Sequence, residues 1–335
     1  MKTFQLHPQI VGADALHLVN KDKPVLRDGE VLVKMRAASL NYRDLVVARQ
    51  TNREQPRVPL SDGAGDIVDR HPSATRFNIN DRVIPFFYPD WIEGSPSAKK
   101  QQRALGGSID GVLTEYLAVH ETALAKMPEH LTYAEAATLP CAGVTAWHAL
   151  FERSPIVPGS TVSMLGTGGL STFALQFAKA AGARVAVVSG SEEKWAEARS
   201  RGADYLVNYK TTPEWSKKLL DWTNGEGVQN VLDAGGPRTL DQSLAAARVG
   251  GNVSVMGILG GVEGAVGPMP ILLKQLNVRG IYVGSGEMLS RLTQFLAVNK
   301  IHPVINSMFA FDDAPQAYLA LEKAQHVGKI VISFD

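Results

Sequence analysis

The sequence predicts an α/β protein in which a doubly wound parallel sheet is joined to a second, β-rich domain. The first third of the chain carries short apolar runs bounded by Gly, Asp and Pro, which is typical of strands and turns. From about Ala134 onward, apolar strands alternate with helices of about ten residues, a rhythm that indicates a parallel sheet covered on both faces. A glycine-rich turn, Gly166 to Ser171, lies between the first such strand and its helix.

In the first third, the clearest strand is Glu30 to Leu40, and two shorter apolar runs follow at residues 63–70 and 81–88. Further along, a buried strand at Thr161 to Leu165 leads into a helix from Ser171 to Ala181. The alternation continues with strands at 184–188, 205–208, 228–234, 252–257 and 278–284, and with helices at 192–201, 213–223, 239–247 and 287–299. The last strand, "GKIVISF", is expected to return to the β-rich domain, which can accept another strand.

Composition excludes several classes of function. The 335 residues are 45% hydrophobic, enough for a large core and two domains. With 34 basic and 33 acidic residues, the net charge is +1, so neither a nucleic-acid partner nor a membrane surface is expected. The single cysteine forbids an internal disulfide and suits a reducing compartment. The first residues, "MKTFQLHPQI", do not resemble a signal peptide, so a soluble, cytoplasmic protein is predicted.

The glycine-rich turn predicts a dinucleotide site. Gly166 permits a tight turn, and Gly168 lets the backbone approach a pyrophosphate. The helix that follows offers free N–H groups and the positive end of its dipole to that anion. Ser171 replaces the usual third glycine and could cap the helix instead. The alternative is a glycine turn without a ligand, but the strand before it and the helix after it favour dinucleotide binding. The expected contacts are Gly166, Thr167, Gly168, Gly169, Leu170 and Ser171.

The next strand indicates which dinucleotide binds. NAD-binding units usually end this strand with Asp or Glu, which holds the ribose hydroxyls. Here the strand is followed by "SGSEEK", so Ser189, Ser191 and Lys194 are available for a 2′-phosphate and no carboxylate stands at the strand end. The alternative is that Lys194 is a solvated helix residue and Ser191 a simple helix cap. The pattern favours NADP(H).

With these motifs identified, the chain resembles the medium-chain dehydrogenase/reductase superfamily, in particular its zinc-free branch of quinone oxidoreductases and enoyl reductases. The resemblance covers essentially the whole chain and rests on "AASLNYRDL", "DGVLTEYLAV", "ATLPCAGVTAWHAL", the glycine turn, "GGNVSVMG" and "HVGKIVI". It implies a GroES-like catalytic domain at residues 1–125, completed by 281–335. It also implies a Rossmann NADP(H)-binding domain at 126–280, and a homodimer.

The sequence departs from the zinc-dependent branch at its three ligand positions, which normally hold Cys, His and Cys. Asn41 stands at the first position, Asp62 or Gly63 falls in the stretch of the second, and Cys141 is the third. Catalytic zinc takes three protein ligands, mostly His and Cys. No metal is therefore expected, and Cys141 is interpreted as a buried small residue.

Without a metal to polarise it, the hydride acceptor must already be electron-poor, as quinones and α,β-unsaturated carbonyls are. The candidate catalytic residues are Asn41, Tyr42 and Arg43, of which Tyr42 and Arg43 would stabilise the developing oxygen charge or supply a proton. The resemblance also places Asn41 beside the nicotinamide. Each has a structural alternative: Asn41 and Asp44 fit a helix-capping pair, and Tyr42 and Arg43 fit an ordinary surface helix.

Other positions follow from the resemblance alone. Further cofactor contacts are expected at Thr145, Tyr209, Gly257, Ile258, Val283, Gly284, Ser285 and Lys329. Tyr88 and Trp91 would line a flat acceptor pocket, or else belong to the core. Some relatives carry an arginine where this chain has Gly286, which leaves the acceptor open.

The function these features predict is zinc-independent, NADPH-dependent hydride transfer to a quinone or an α,β-unsaturated carbonyl compound. Two alternatives stay open: an NADP-dependent enzyme of the alcohol dehydrogenase type, and a dinucleotide-binding protein with little catalysis.

Overall fold

The computed structural model describes residues 1–51, 53–152 and 154–334. The strands are β1 Lys2–Leu6, β2 Leu16–Asn20, β3 Glu30–Ser39, β4 Asp62–Arg70, β5 Arg82–Pro85, β6 Tyr116–His120, β7 Leu124–Lys126, β8 Thr161–Leu165, β9 Arg184–Ser189, β10 Tyr205–Asn208, β11 Val228–Asp233, β12 Ala247–Val255, β13 Asn277–Gly280, β14 Ile305–Ala310 and β15 Lys329–Ser333. The α-helices are α1 Tyr42–Ala48, α2 Tyr133–Ala136, α3 Val144–Phe151, α4 Gly169–Ala180, α5 Trp195–Ser200, α6 Trp215–Trp222, α7 Pro237–Ala246, α8 Met269–Leu273, α9 Gly286–Asn299 and α10 Ala314–Glu322.

These elements form two compact units. The first unit comprises Met1–Val144 and Val283–Asp335, and the second comprises Thr145–Tyr282. The domain boundaries expected from the sequence fall after residues 125 and 280.

The first unit is built on a seven-stranded sheet with the path β14-β15-β3-β4-β5-β7, in which β6 also pairs with β3. Strand β3 is the centre of this sheet, because β4, β6 and β15 all pair with it in antiparallel fashion. Val331 of β15 lies opposite Ser39 of β3. The predicted return of the last strand to the β-rich domain is therefore confirmed.

The second unit is a six-stranded parallel sheet in the order β10-β9-β8-β11-β12-β13. Counted from its first strand, β8, the order is 3-2-1-4-5-6, that of a doubly wound dinucleotide-binding sheet. The winding direction reverses between β8 and β11, and ligands of such sheets bind outside the carboxyl ends of the strands at that point. The predicted sheet is confirmed, and its topology locates a candidate site.

A dense apolar layer supports this sheet. Trp215 and Leu219 of α6 and Leu244 of α7 belong to one buried cluster with Val231 and Val253 of the central strands. Burying an aliphatic or aromatic side chain of this size contributes about 1.5–3 kcal/mol, so this layer stabilises the strand ends on which the loops are mounted.

Several predicted boundaries are wrong. Strand β12 begins at Ala247, five residues before the predicted 252, and β13 ends at Gly280, four residues before the predicted 284. Helix α4 begins at Gly169, two residues before the predicted Ser171. Helix α7 begins at Pro237 instead of Thr239, because proline suits a first helical turn and Gly236 before it has a φ of 75°. The predicted helix at 192–201 is divided into a 3-10 turn, Glu192–Lys194, and helix α5.

Candidate functional site

The turn after β8 has the geometry of an anion site. Gly166 has a φ of 80°, which favours glycine, and its N–H donates to the carbonyl of Val188 at 2.7 Å. Gly168 is the N-cap of α4, and its carbonyl accepts the N–H of Thr172 at 3.0 Å. The N–H groups of the three residues between them therefore lack an acceptor within the helix.

Space is available for a pyrophosphate at this turn. A Cβ built on Gly168 meets no atom within 4 Å, so the space beside the N-cap of α4 is open. Ser171 does not cap the helix, which was one possibility from the sequence. Its hydroxyl donates to the carbonyl of Leu165 at 2.7 Å and ties the first turn to the end of β8. The turn thus fits the phosphates of a dinucleotide.

The end of β9 carries the groups expected for a 2′-phosphate. The Ser189 hydroxyl is buried and accepts the N–H of Ser191 at 3.3 Å. Burial lowers the pKa of Lys194, and the nearby Glu193 opposes this shift. Tyr209 lies directly across from this strand end, because a Cβ on Gly190 would come within 2.6 Å of its phenol group.

Sequence reasoning missed a second cation at this strand end. A Cβ on Gly190 would also lie 2.9 Å from Cε of Lys210, so the missing side chain lets Tyr209 and Lys210 approach β9 together. Lys210 is exposed, and its backbone N–H donates to Oδ1 of Asn208 at 2.9 Å. The only signal in the sequence was its position directly after Tyr209.

Sequence reasoning also missed Asp233, which shapes the loop after β11, across the switch point from the glycine turn. Its buried carboxylate accepts the N–H groups of Gly235 and Gly236, each at 2.9 Å. It also accepts the hydroxyls of Thr239 at 2.9 Å and Ser243 at 2.6 Å.

Among the predicted contacts, Gly257 lets the next loop approach closely, since a Cβ there would lie 2.7 Å from the carbonyl of Ala234. Its neighbour Ile258 is exposed, and Thr145, on α3, is buried.

In the first unit, Asn41 lies in a polar cluster, which we call the Asn41 cluster: the buried residues Asn41, Asp44, Asp62 and Lys329, with Cys141. Cys141 is half-buried and not buried as the sequence suggested. Asn41 is the N-cap of α1, and its backbone N–H donates to the Asp44 carboxylate at 2.7 Å. The predicted capping pair is present. Nζ of Lys329 donates to Oδ1 of Asn41 and to the carbonyl of Leu40, each at 2.5 Å.

Asp62 is the second carboxylate of the Asn41 cluster and is fully buried. It accepts the Ser61 hydroxyl at 2.6 Å and the backbone N–H of Cys141 at 3.1 Å. Burial raises the pKa of Asp62, and Lys329, Ser61 and Asn41 oppose the rise. Burial lowers the pKa of Lys329. The negative charge of Asp62 is the largest of the influences that oppose this shift. The positive charge of Lys329 thus lies beside the carboxyl groups of Asp44 and Asp62, so charges of opposite sign offset one another within the cluster.

The Asn41 cluster does not fit a catalytic zinc ion. Of the three positions that carry the ligands in zinc-dependent members, only Cys141 keeps a residue type that catalytic zinc commonly takes. The amide oxygen of Asn41 already accepts from Lys329. Within residues 1–51, 53–152 and 154–334, no three His, Cys, Asp or Glu side chains are grouped so that they could hold a metal ion.

The other predicted catalytic residues, Tyr42 and Arg43, differ in their surroundings. Tyr42 is exposed at the start of α1. Nη1 of Arg43 donates to the carbonyl of Leu105 at 3.0 Å and pairs with Asp44 at 3.3 Å, and its guanidinium lies 4.8 Å from the ring centroid of Phe87. These contacts use Arg43 to fasten α1 to the segment around Leu105.

Tyr88 and Trp91 belong to the core. Both are buried, their ring centroids are 6.2 Å apart, and the indole N–H of Trp91 donates to the carbonyl of Gly94 at 2.9 Å. The carbonyl of Trp91 accepts the N–H of Gly286 at 2.9 Å, at the start of α9. The predicted contacts just before α9 also face inward. Val283 and Ser285 are buried, and Ser285 caps the helix by accepting the N–H of Met288 at 3.2 Å. A Cβ on Gly284 would lie 2.4 Å from Val144.

Nothing in the described ranges suggests a bilayer-spanning segment, since no helix there combines the necessary length and apolar character.

Comparison with known proteins agrees with this architecture. Residues 27–129 match the family described as "Alcohol dehydrogenase GroES-like domain", and residues 169–298 match "Zinc-binding dehydrogenase". The chain is 40% identical over 343 aligned positions to a zinc-type alcohol dehydrogenase-like protein of Schizosaccharomyces pombe, covering 99% of both chains. It is 31% identical to 2-methylene-furan-3-one reductase of Solanum lycopersicum, covering 92% of this chain and 73% of that protein.

A solved structure is similarly close. The crystal structure of a presumed alcohol dehydrogenase from Sinorhizobium meliloti 1021 superposes with a TM-score of 0.92 at 37% identity, and the match covers 100% of this chain and 99% of the other.

Proposed function

This chain belongs to the medium-chain dehydrogenase/reductase superfamily of oxidoreductases, and we propose that it transfers hydride from NADPH to a quinone or an α,β-unsaturated carbonyl compound without zinc. We further propose that it acts as a homodimer.

The cofactor part of the proposal rests on the second unit. The N–H groups at the start of α4 would hold the pyrophosphate, and Lys194, Lys210 and Tyr209 would surround the 2′-phosphate at the end of β9. Gly190 stands between Ser189 and Ser191, so no carboxylate lies at the strand end itself, and the next carboxylate, Glu192, accepts from the Asn208 amide at 2.8 Å. When bound, NADPH would supply the hydride. The protein's own contribution is to bind and orient it.

The acceptor part rests on one observation, the composition of the Asn41 cluster. At the positions where zinc-dependent members carry metal ligands, this chain has an amide that accepts from Lys329 and a carboxylate that accepts from Ser61 and Cys141. The amide can donate a hydrogen bond, but neither group can act as a Lewis acid. They suit an acceptor whose conjugation already spreads the incoming charge onto oxygen.

Within the first unit, the residues have distinct proposed roles. Asn41 would donate a hydrogen bond to the developing oxygen, and Tyr42, which is exposed, is the candidate for proton delivery. Arg43 would act indirectly by holding α1, since its guanidinium is occupied by Leu105 and Asp44.

The test measures the oxidation of NADPH, from its absorbance, with each member of a panel of hydride acceptors. We expect fast oxidation with 1,4-benzoquinone or 2-cyclohexen-1-one. Cyclohexanone and butanone should react slowly, and ethanol with NADP⁺ should show little turnover, since no Lewis acid polarises these substrates. Activity should persist in chelator. Efficient ethanol oxidation by metal-depleted protein would contradict the proposal.

A zinc-dependent alcohol dehydrogenase is the second candidate, because the S. pombe relative is described as a zinc-type alcohol dehydrogenase-like protein and the S. meliloti relative as an alcohol dehydrogenase. Elemental analysis separates the two: one tightly bound zinc per chain, with activity lost on its removal, would favour this candidate. A dinucleotide-binding protein with little catalysis is the third, and it predicts cofactor binding without turnover of any acceptor in the panel.

A further inference from the structure

The orientation of the Asn41 carboxamide is fixed by one neighbour. An amide can exchange the places of its oxygen and nitrogen by rotation, and its hydrogen-bond partners decide between the two arrangements. Nζ of Lys329 lies 2.5 Å from the amide atom that faces it. An ammonium has three donors and no acceptor, so that atom must be Oδ1. Nδ2 consequently points the other way.

Both partners in this contact are held rigidly. Lys329 is buried at the start of β15, and the same Nζ also donates to the carbonyl of Leu40 at 2.5 Å. Strand β15 is paired with β3 two residues further on, at Val331. The Asp44 carboxylate holds the backbone N–H of Asn41 at 2.7 Å. The amide therefore cannot turn without breaking a buried contact.

This arrangement leaves one donor without a use inside the chain. Asn41 is only 8% exposed, and its Nδ2 is buried with no hydrogen-bond partner of normal geometry among the described residues. A contact with Asp62, through which the Asn41 side chain opposes the raised pKa of that carboxyl, can use one of the two N–H bonds of Nδ2. Asp62 also accepts from Ser61 and from the backbone of Cys141. Buried donors in folded proteins almost always meet an acceptor. The remaining N–H of Nδ2 thus points to an acceptor that comes from outside the chain.

We propose that Lys329 is a positioning residue that holds the Asn41 carboxamide with Nδ2 available to donate to the carbonyl oxygen of a bound ligand. This inference rests on the proposed function for the identity of the ligand, which is the conjugated carbonyl of the acceptor or the carboxamide of the nicotinamide. Lys329 itself touches neither in this account. Its part is to exclude the flipped amide, which would present an acceptor to the ligand oxygen and repel it.

Three variants distinguish an effect on the orientation of the Asn41 carboxamide from an effect on folding. Lys329→Arg keeps a donor-only cation and should preserve the amide orientation. Lys329→Gln brings an oxygen that can accept from Nδ2, so it allows the flip. Asn41→Asp keeps an oxygen for Lys329 and deletes the donor, and it serves if the Lys329 variants do not fold. Lys274→Gln is the matched control, because Lys274 also caps buried carbonyls, at 2.6 Å from Ala245 and 2.8 Å from Ala247, within the second unit.

The direct readout is the side-chain NH₂ resonance of Asn41 in ¹⁵N-labelled protein, assigned by its loss in Asn41→Asp. We expect it to move downfield when a carbonyl acceptor reaches Nδ2. Movement on adding NADP⁺ alone, but not thionicotinamide-NADP⁺, identifies the cofactor carboxamide as the acceptor. Movement only on adding cyclohexanone to the NADP⁺ complex, but not its analogue methylenecyclohexane, identifies the substrate carbonyl.

The kinetic readout is the split between kcat and cofactor affinity. If the substrate carbonyl is the acceptor, Lys329→Gln and Asn41→Asp should lose about 10²-fold in kcat with the NADPH dissociation constant nearly unchanged. If the nicotinamide carboxamide is the acceptor, the NADPH dissociation constant should rise about tenfold or more. Lys329→Arg should recover most of the loss in either case, and Lys274→Gln should resemble the wild type.

The inference is overturned if no ligand moves the Asn41 resonance, or if Lys329→Gln matches Lys329→Arg in both readouts. These outcomes are distinct from failure of the proposed function. Turnover of enones with an unresponsive Asn41 resonance would reject the positioning role alone. A responsive resonance without any enone or quinone turnover would reject the proposed reaction and retain the role of Lys329.

Discussion

At the scale of single residues, the buried carboxyl of Asp44 makes a prediction about pH. Burial raises the pKa of Asp44 from its usual 3.8 to about 6, with Arg43 opposing the rise. Between these values the folded state holds more protons than the unfolded state, so the contribution of Asp44 to stability is complete below pH 4 and is lost as the pH rises through 6. Two pH units correspond to about 3 kcal/mol.

The test compares urea unfolding of the wild type and Asp44→Asn from pH 3.5 to 7. Asn cannot ionise and still offers an oxygen to the N–H of Asn41. The free energy of unfolding of the wild type, relative to the variant, should fall by up to about 3 kcal/mol across this range. A difference that is independent of pH, or that grows with pH, would mean that Asp44 is not protonated in the folded protein at low pH.

Lys194 makes a prediction about cofactor choice. A charge-assisted hydrogen bond is worth roughly 1.5–3 kcal/mol, so Lys194→Ala should weaken NADPH binding roughly ten- to a hundredfold and leave NADH binding nearly unchanged. Lys210→Ala should act in the same direction. Both losses should shrink at high salt, because exposed charges are screened. Calorimetric titration with each cofactor is the measurement.

Lys217→Ala is the matched control, since Lys217 is an exposed lysine of the second unit that pairs with Glu214 on α6. It should affect neither cofactor. Equal losses for NADPH and NADH in Lys194→Ala, or tighter binding of NADH by the wild type, would show that the end of β9 does not recognise a 2′-phosphate.

Sequence patterns predicted the capping pair of Asn41 and Asp44, because it is local, with donor and acceptor three positions apart. They did not predict that Lys329 contacts Asn41, since the two lie 288 residues apart and only β15 brings them together. Nor did they decide between pocket and core for Tyr88 and Trp91. An aromatic run has the same sequence pattern in a pocket as in the core, and its burial depends on which elements cover it in the folded chain.

At the scale of an element, two glycines at the start of α4 should differ in what their substitution changes, one the stability and the other the affinity for the cofactor. Gly166→Ala places a side chain at a φ of 80°, which costs roughly 1–2 kcal/mol of stability. Gly168→Ala is different, because its φ of −74° is ordinary and its Cβ meets no atom within 4 Å. The added methyl group would occupy the space proposed for the pyrophosphate. Gly168→Ala should therefore keep its melting temperature and lose about tenfold or more in affinity for NADPH and NADH alike.

Thermal unfolding and cofactor titration of both variants provide the check. Gly166→Ala is the control for a purely conformational effect at the same turn. Unchanged binding of both cofactors by Gly168→Ala would remove the pyrophosphate from this turn, and a loss confined to NADPH would place the effect at the 2′-phosphate instead.

The strands and helices of the second unit were predictable because each repeats a strong local pattern, an apolar strand followed by an amphipathic helix. Their ends were less so. The start of α4 was misplaced because Ser171 is a common cap, yet its hydroxyl finds a better acceptor at Leu165 once the turn is folded. Likewise, the role of Asp233 depends on four donors that only the folded loop assembles.

At the scale of the whole molecule, the proposed homodimer follows from an open edge of the second unit. Strand β13 is the last strand of its sheet, and the nearby helix α8 exposes Leu272 and Leu273 at 70% and 69%. Unpaired edges and exposed apolar side chains are typical of surfaces that another chain covers. Leu272→Glu with Leu273→Glu should convert a dimer to a monomer in light scattering, whereas Val298→Glu on α9, an equally exposed apolar position, should not. A monomeric wild type would reject the proposal.

The interleaved order of the first unit has a consequence for the time course of folding. During synthesis the chain emerges from its first residue onward, so β3 is exposed to solvent long before β15, its partner, has been made. The second unit, by contrast, is one continuous segment and can fold as soon as residue 282 has emerged. Lys329 is translated only after the whole of the second unit. The sheet of the second unit can therefore form while the Asn41 amide is still free to turn, and the orientation of that amide is fixed only when β15 joins β3.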